Sequence, residues 1–340
     1  MKGYGWLMLV VAVLLLLLPL PAYSAPAEKK TPSPSASADV PADTKPLPPP
    51  SQELSGAVFR VLCGDQVVTL AEEDFLLRVL AMEMSPDNHE EALKAQAVAT
   101  YTYYARRRQA QAAKADPALK GADFAAPNDT FPAAYTEEKL RERWGEKYEE
   151  NQQKLTAVIQ AVSGVTITHN GALIDACYHA ISCGSTEAAV TVWGSDIPYL
   201  QAVASPGDRL APTYASQVTH SKEDVKAILT AELPKLRLGE DPADWFGTPS
   251  LSDAGTVAEQ PVGDSRLAGT RIRQLFGLRS AAFAITYADG TFTFSVKGYG
   301  HGVGMSQYGA DYLARQGYTY DEILRYYYTD VTIGTLYSPK

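Results

Sequence analysis

A single carboxylate, Glu83, lies at a break between two predicted helices, within the stretch RVLAMEMSPD that starts at Arg78. Met82 and Met84 flank it, so water solvates its charge poorly, and the negative end of the helix dipole also disfavours the ionised form. Both effects raise the pKa of a carboxyl group, and an acid that stays protonated near neutral pH can serve as a general acid. A surface glutamate at a frayed helix end fits the same local pattern, so both interpretations stay open at this point.

A glycine-rich block, GYGHGVGMSQYGA, extends from Gly298 to Ala310. Its glycine spacing differs from the G-x-G-x-x-G of dinucleotide-binding loops, and too little chain follows it for a βαβ unit. Glycine allows the backbone to turn tightly and to approach a ligand closely. We therefore predict that His301, Ser306 and Gln307 bind a ligand or orient Glu83, while a simple tight turn remains the alternative.

Two thiols and an imidazole follow one another in the stretch CYHAISC, as Cys177, His179 and Cys183. Sulfur and imidazole nitrogen are ligands that zinc prefers, and a zinc ion here would be structural, fixing a loop beside a cleft. A local disulfide between the two cysteines and a pair of free thiols are the alternatives. The third cysteine, Cys63, is predicted to be a small buried residue, since an odd cysteine count does not make a disulfide framework.

The elements that would position these groups can be traced from periodicity and turn signals. A helix ends before Pro86, because proline disfavours the helical state in the residue before it, and Asp87 or Asn88 is expected to cap the next helix. Hairpins are predicted at Asn170-Gly171 and Asp289-Gly290. Helices and strands do not alternate regularly, which predicts an α+β fold with short antiparallel strands around a cleft.

Composition and the amino-terminal pattern limit the classes of function. The chain has 340 residues and a net charge of −9, with no basic stripe, which argues against a nucleic-acid partner. Residues 1–24 form a signal or a membrane anchor, and residues 25–53 form a linker rich in proline, serine and alanine. The folded domain is predicted at 54–340. It is expected outside the cytoplasm, tethered by the amino-terminal helix, or secreted if the signal is cleaved.

Four blocks of sequence resemble the stage II sporulation protein D family. The first block consists of Glu83-Met84, Pro86 and EALKAQAVATYTY. The second block is YHAISCGSTE with the following VWG and PYL, and the third is GLRS at Gly277. The glycine-rich block at Gly298–Ala310 is the fourth and resembles the family pattern almost letter for letter. The matching blocks run from about residue 54 to the end and follow one another in the same order as in the family. Tyr101 departs from the arginine expected at its position.

The resemblance implies a peptidoglycan lytic transglycosylase that acts during engulfment of the forespore. Its expected substrate is the glycan strand already stripped of stem peptides by a partner amidase, and its further partners are membrane proteins of the engulfment machinery. The catalytic glutamate of the family falls on Glu83, and the chemistry requires no cofactor. Some members carry a metal held by cysteines in the region of Cys177 and Cys183. Related amidase enhancers make a non-catalytic, wall-binding role the alternative, and a purely structural engulfment scaffold is a second one.

A lytic transglycosylase can work with one carboxylate, because the C6 hydroxyl of the N-acetylmuramic acid serves as an intramolecular nucleophile. Most glycosidases need a pair of carboxylates instead. The side chains predicted to bind the glycan beside Glu83 are Gln96, Trp193, Arg279, Ser280, His301, Ser306 and Gln307.

Overall fold

The computed structural model describes residues 58–335. The predicted signal or anchor at 1–24 and the linker at 25–53 lie outside the described residues. Within 58–335, none of the helices combines the length and the apolar character that crossing a membrane requires.

Helices and short strands are mixed along the described chain without regular alternation, which confirms the predicted α+β class. The helices are α1 (Glu72–Glu83), α2 (Glu90–Ala113), α3 (Glu137–Trp144), α4 (Tyr148–Ala161), α5 (Ala189–Trp193), α6 (Lys222–Glu232), α7 (Gly269–Leu275), α8 (Gln307–Arg315) and α9 (Tyr320–Tyr327). The strands are β1 (Val58–Cys63), β2 (Gln66–Ala71), β3 (Phe124–Ala125), β4 (Val165–His169), β5 (Ala172–Leu173), β6 (Tyr178–His179), β7 (Ala215–Ser221), β8 (Ser250–Leu251), β9 (Val257–Val262), β10 (Ser265–Ala268), β11 (Phe283–Ala288), β12 (Thr291–Lys297), β13 (Met305–Ser306) and β14 (Thr332–Thr335).

The strands form several small sheets rather than one large sheet. Their orders are β2-β1-β3, β10-β9-β8, β11-β12-β7, β14-β4-β5 and the two-stranded β13-β6. The pairs β1 with β3 and β6 with β13 are parallel, and the other strand pairs of the described chain are antiparallel. The β6–β13 pair matters most for function, because it joins the cysteine-containing segment to the glycine-rich block.

Two hydrophobic cores support this arrangement. The larger core surrounds the long helix α2 and buries Phe75, Leu93 and Tyr327 completely. The smaller core lies between the sheet β11-β12-β7 and the helices α6 and α7, where Phe276 and Phe294 stack with ring centroids 4.6 Å apart. The candidate catalytic residues lie on the larger core, so that core determines how rigidly they are held.

The helix break beside Glu83 follows from the local sequence. Met84 adopts an extended conformation, and its N–H donates to the Leu80 carbonyl at 3.0 Å, which closes α1 at Glu83. The next helix, α2, begins at Glu90 and is capped by His89, whose ring Nδ1 accepts from the N–H of Glu91 at 3.3 Å. The predicted cap at Asp87 or Asn88 is therefore wrong, since the turn after Pro86 runs further before the helix starts.

Candidate active site

Glu83 is the last residue of α1, and its side chain is only partly exposed. Burial raises its pKa from the ordinary value of 4.5 to about 7, and the hydrogen bond from Gln307 opposes part of that rise. Gln307 Nε2 donates to Glu83 Oε2 at 3.1 Å. The pKa of the carboxyl group is thus shifted in the predicted direction, and with a pKa of about 7 about half of the molecules carry the proton near pH 7.

Glu83 has buried neighbours in sequence and acts on buried side chains of other elements. Met82 and Met84 are buried in the larger core. Tyr178 is also buried, and the charge of Glu83 adds to the burial that raises the pKa of this phenol. Tyr104 shows the same influence of Glu83. The charge of Glu83 therefore acts on buried phenols of α2 and β6, which the local sequence around residue 83 could not indicate.

A chain of side-chain amides holds Gln307 in one orientation. Gln96 Oε1 accepts from Gln307 Nε2 at 3.4 Å, and Gln96 Nε2 donates to Thr100 Oγ1 at 3.1 Å. Gln96 is 0% exposed, so in this conformation it contacts Gln307 and not a substrate. Because the nitrogen of Gln307 faces both acceptors, it always presents a donor to Glu83.

Ser306 fixes the start of α8, where Gln307 stands. Its hydroxyl donates to Asp208 Oδ1 at 2.8 Å and accepts from the N–H of Gly309 at 3.2 Å, the standard geometry of a helix cap. Ser306 and Asp208 are both fully buried, and Asp208 also accepts from the N–H of Ser182 at 2.9 Å. Ser306 therefore holds the start of α8, where Gln307 stands.

The glycine-rich block wraps around β6 with four glycines at positive φ: Gly298 (78°), Gly300 (115°), Gly302 (84°) and Gly304 (72°). A Cβ at Gly304 would lie 2.0 Å from the carbonyl oxygen of Cys177. These residues provide both the left-handed conformation and the close approach of two backbones that glycine allows. The block is thus a close-packed turn, as predicted, and it packs against the segment that follows Cys177.

Replacing Gly304 by alanine should cost about 3 kcal/mol or more of unfolding free energy, because backbone atoms of Cys177 cannot give way as a flexible side chain would. Gly317→Ala is the matched control, since its φ of +95° is also left-handed but nothing lies within 4 Å of the added Cβ. That control should lose only about 1–2 kcal/mol. Chemical denaturation of the full-length chain measures both. Equal losses would show that close packing at Gly304 adds nothing to the backbone strain.

His301, inside this turn, is a neutral and mostly buried imidazole. Burial, with the charge of Arg273, lowers its pKa from 6.5 to about 4. Its Nδ1 accepts from the N–H of Val303 at 3.1 Å, so the neutral ring carries its proton on Nε2. His301 is 8% exposed, and its ring centroid lies 5.4 Å from that of Trp193. In this conformation it supports Trp193 more than it faces solvent.

The other predicted glycan contacts differ in how accessible they are. Trp193 is half-buried, and Arg279 is exposed with its guanidinium 5.4 Å from the ring centroid of Tyr299. Ser280 is buried, and its hydroxyl donates to the Lys297 carbonyl at 2.6 Å and accepts from the N–H of Ala282. Trp193 and Arg279 can reach a ligand without rearrangement, whereas Ser280 holds the end of β12.

Cys177, His179 and Cys183 do not come together as a zinc site. No group of three histidine, cysteine or acidic side chains in the described residues could hold a metal ion. Cys177 is buried in the larger core, while the sulfur of Cys183 lies 3.1 Å from the carbonyl oxygen of Ala254. His179 Nδ1 donates to the Val303 carbonyl at 3.2 Å. All three cysteines are free, so the alternative disulfide is not formed either, and Cys63 is half-buried rather than buried.

Thr100, Tyr178 and Asp208 belong to the site although the sequence patterns did not single them out. Tyr178 stands in the block YHAISCGSTE, so its neighbourhood was recognised but its proximity to Glu83 was not. Thr100 falls on one stripe of a predicted helix, which indicates a packing role only. Asp208 lies in the short 3-10 helix Pro206–Leu210, and nothing in the sequence around it indicates that it holds Ser306.

Comparison with known proteins identifies the family of the chain. A family model described as stage II sporulation protein matches residues 64–169. Stage II sporulation protein D of Bacillus amyloliquefaciens is 34% identical over 294 residues, which cover 86% of this chain and 83% of that protein. The protein of the same name from Bacillus subtilis is 33% identical over 278 residues, covering 82% and 78%. An amidase enhancer of Bacillus subtilis is 26% identical over 317 residues, covering 75% of this chain and 39% of that protein. With this identity over most of both chains, the protein belongs to the stage II sporulation protein D family.

Proposed function

We propose that this member of the family is a lytic transglycosylase that cleaves the bond between N-acetylmuramic acid and N-acetylglucosamine in peptidoglycan strands stripped of stem peptides. The observation that carries the proposal is a single carboxyl group, Glu83, whose pKa is raised to about 7 by burial and whose Oε2 accepts from Gln307. A group of this kind holds a proton at neutral pH and can also release it, as a residue that acts first as acid and then as base must do.

The hydrogen bond from Gln307 decides which oxygen of Glu83 carries the proton. Because Oε2 already accepts from Gln307 Nε2, the proton of the neutral acid stays on Oε1. In the first step Oε1 gives this proton to the glycosidic oxygen, and the bond to the anomeric carbon of N-acetylmuramic acid breaks. In the second step the C6 hydroxyl of the same sugar closes on that carbon, and Glu83 takes the hydroxyl proton. The product is a 1,6-anhydro sugar, and Glu83 returns to its starting state.

A mechanism with one carboxylate fits the surroundings of Glu83. Retaining glycosidases place a second carboxylate about 5–5.5 Å from the first, where its charge would raise the pKa of the acid further. Within residues 58–335, only burial and Gln307 shift the pKa of Glu83. The C6 hydroxyl supplies the nucleophile from within the substrate, and its high effective molarity makes a second protein carboxylate unnecessary.

Product analysis in heavy-oxygen water tests the reaction directly. The full-length chain, incubated with purified glycan strands that lack stem peptides, should produce 1,6-anhydro ends and incorporate no heavy oxygen, because no water is consumed. Mass spectrometry of the fragments distinguishes these ends from hydrolysed ends, which are heavier by one water. Reducing ends that carry heavy oxygen would overturn the transglycosylase proposal in favour of a hydrolase.

The second candidate function is non-catalytic enhancement of a peptidoglycan amidase. Its support is the similarity to the amidase enhancer of Bacillus subtilis, which covers 75% of this chain. The two candidates differ in how they depend on Glu83. An enhancer should stimulate a partner amidase equally well after Glu83→Gln, and a transglycosylase should lose its anhydro products.

The setting of either activity follows from the amino-terminal pattern. We place the domain outside the cytoplasm, tethered to the cell membrane by the predicted helix at 1–24 and spaced from it by the linker at 25–53. There it would act with a partner amidase and with membrane proteins of the engulfment machinery. Fractionation of cells, followed by protease treatment of intact protoplasts, tests this placement.

A further inference from the structure

A second concave site lies on the smaller core, apart from the residues that contact Glu83. It is a groove of about 1020 Å³ across one end of the sheet β11-β12-β7, bordered by the loop at Cys183 and by residues 251–255. Ligand pockets in proteins are typically about 300–1,000 Å³, so this groove has room for a ligand of several residues.

The floor of the groove includes several small side chains of the three strands. Ala284 pairs with Ser295, and Ser295 pairs with Gln217 across the three strands, while Ala215 pairs with Lys297. Of these residues, Ala215, Gln217, Ala284 and Lys297 are exposed and Ser295 is half-buried, so the groove has two exposed alanine methyl groups among polar side chains. Such a floor suits a chain with small side chains better than it suits a bulky aromatic ligand.

The wall of the groove holds one arginine in a defined position. A Cβ at Gly184 would lie 2.5 Å from Arg209 Nε, so the guanidinium rests against a backbone that only glycine can provide. Tyr214 stands beside Arg209, and its hydroxyl donates to the Cys183 carbonyl at 2.8 Å. Arg209 therefore contacts Gly184 and Tyr214 and is exposed at the groove.

The charge of the groove is opposite to that of the chain. Arg209 and Lys297 line it, and among the described residues that line it there is no aspartate or glutamate. Neither cation forms an ion pair within residues 58–335, whereas Arg60, Arg271 and Arg315 each pair with a carboxylate. A protein of net charge −9 that keeps two uncompensated cations in one groove offers a local site for anions.

We propose that this groove binds a stem peptide of peptidoglycan, with Arg209 and Lys297 holding its carboxylates and the alanine floor accepting its methyl side chains. The inference rests on the proposed function, because peptidoglycan is the polymer that would present such peptides. Stem peptides combine free carboxylates with alanine residues, which matches both the charge and the floor of the groove. The groove then holds the protein on wall that still bears peptides, while Glu83 works on neighbouring strands that have lost them.

Calorimetric titration of the full-length chain with a soluble disaccharide-tetrapeptide, compared with the same disaccharide without peptide, tests the proposal. The peptide-bearing ligand should bind at least about tenfold more tightly, and added salt should reduce the difference. The double variant Arg209→Gln, Lys297→Gln should lose that advantage. The matched control is the double variant Lys226→Gln, Lys235→Gln, which removes the same charge from exposed positions outside the groove. It should bind as the wild type does.

A second variant keeps the test valid if the double variant folds poorly, as a thermal melt would reveal. Ala284→Trp fills the floor without changing any charge and should weaken peptide binding by a similar factor. Both groove variants should still cleave stripped strands, so a failure of catalysis and a failure of peptide binding are separate results. Equal affinity for the two disaccharides would overturn the proposal. So would a control pair that weakens binding of the peptide-bearing disaccharide as strongly as the groove pair does. Preferential binding of a glycerol-phosphate polymer would overturn it as well.

Discussion

Replacement of Glu83 by glutamine is expected to slow the cleavage of stripped glycan strands by about 10³- to 10⁴-fold. Glutamine keeps the size of the side chain and can still accept from Gln307 Nε2 through its amide oxygen. It cannot donate a proton to the glycosidic oxygen or take one from the C6 hydroxyl, so both halves of the reaction lose their proton carrier. Initial rates of anhydro-product formation, measured by mass spectrometry, give the ratio.

Stability provides an internal control for this variant. The folded-state pKa of Glu83 is about 7, above the ordinary value of 4.5, so folding disfavours the ionised form. Below about pH 4.5 the group is protonated in both states and costs nothing. As the pH rises from 4.5 to 7, the unfolded state releases the proton while the folded state keeps it, so wild type loses up to about 3 kcal/mol that the glutamine variant does not lose. Glu83→Gln should therefore be more stable than wild type at pH 8 and equally stable at pH 4.

Glu142→Gln is the matched comparison for both measurements, because Glu142 is exposed and its pKa is lowered by Lys139 rather than raised. It should leave cleavage unchanged and should not stabilise the protein at pH 8. If Glu83→Gln retained more than about a tenth of the activity, another residue would have to supply the proton, and the proposed role of Glu83 would be wrong.

Features that depend on neighbouring residues were predictable from the sequence. The hairpin turns at Asn170-Gly171 and Asp289-Gly290 have positive φ at both positions, as their residue types indicate (51° and 76°, 48° and 79°). The helix end at Glu83 follows from Pro86, and the raised pKa follows from burial at that end. Each of these features is determined by a few consecutive residues, through the backbone preferences of glycine, asparagine, aspartate and proline or through local burial.

Features that depend on distant residues were not predictable in the same way. Gln307 and Glu83 are separated by 224 positions, and their contact requires β6 and β13, each only two residues long, to pair in parallel. Strands this short leave no periodic pattern. The side chains of Ser280 and Ser306 were recognised as hydrogen-bonding groups, but residue type does not say whether the partner is a ligand or the protein. Both hydroxyls find partners inside the protein.

The residues named in the zinc hypothesis form no group of ligands in the described part of the chain, for a related reason. Cys177, His179 and Cys183 lie close together in sequence, and spacing alone permits a shared metal. Cys177 lies in the larger core, and Cys183 contacts Ala254 in a loop next to the smaller core. The segment between them therefore spans two cores, and side chains that are six positions apart are directed to different parts of the molecule.

Gln307→Met is expected to slow cleavage by about 10- to 100-fold and to move the alkaline limb of the pH–rate profile upward. Methionine has nearly the length of glutamine but no N–H, so the carboxylate that forms as Glu83 gives up its proton loses a donor worth about 1.5–3 kcal/mol. The same loss raises the pKa of Glu83 above its present value of about 7, since Gln307 is the group that lowers it. Rates measured from pH 5 to pH 9 give both quantities.

The direction of the pH shift separates this role from a structural one. A variant that merely loosened the start of α8 would let water reach Glu83, which would lower its pKa and move the limb down while the rate fell. Gln316→Met makes the same change at an exposed position just after the same helix and should alter neither the rate nor the profile. A direct hydrogen bond predicts a slower enzyme together with an upward shift of the alkaline limb. Without the donor, the carboxylate formed in the reaction is less stable, and the carboxyl group holds its proton more tightly before the reaction.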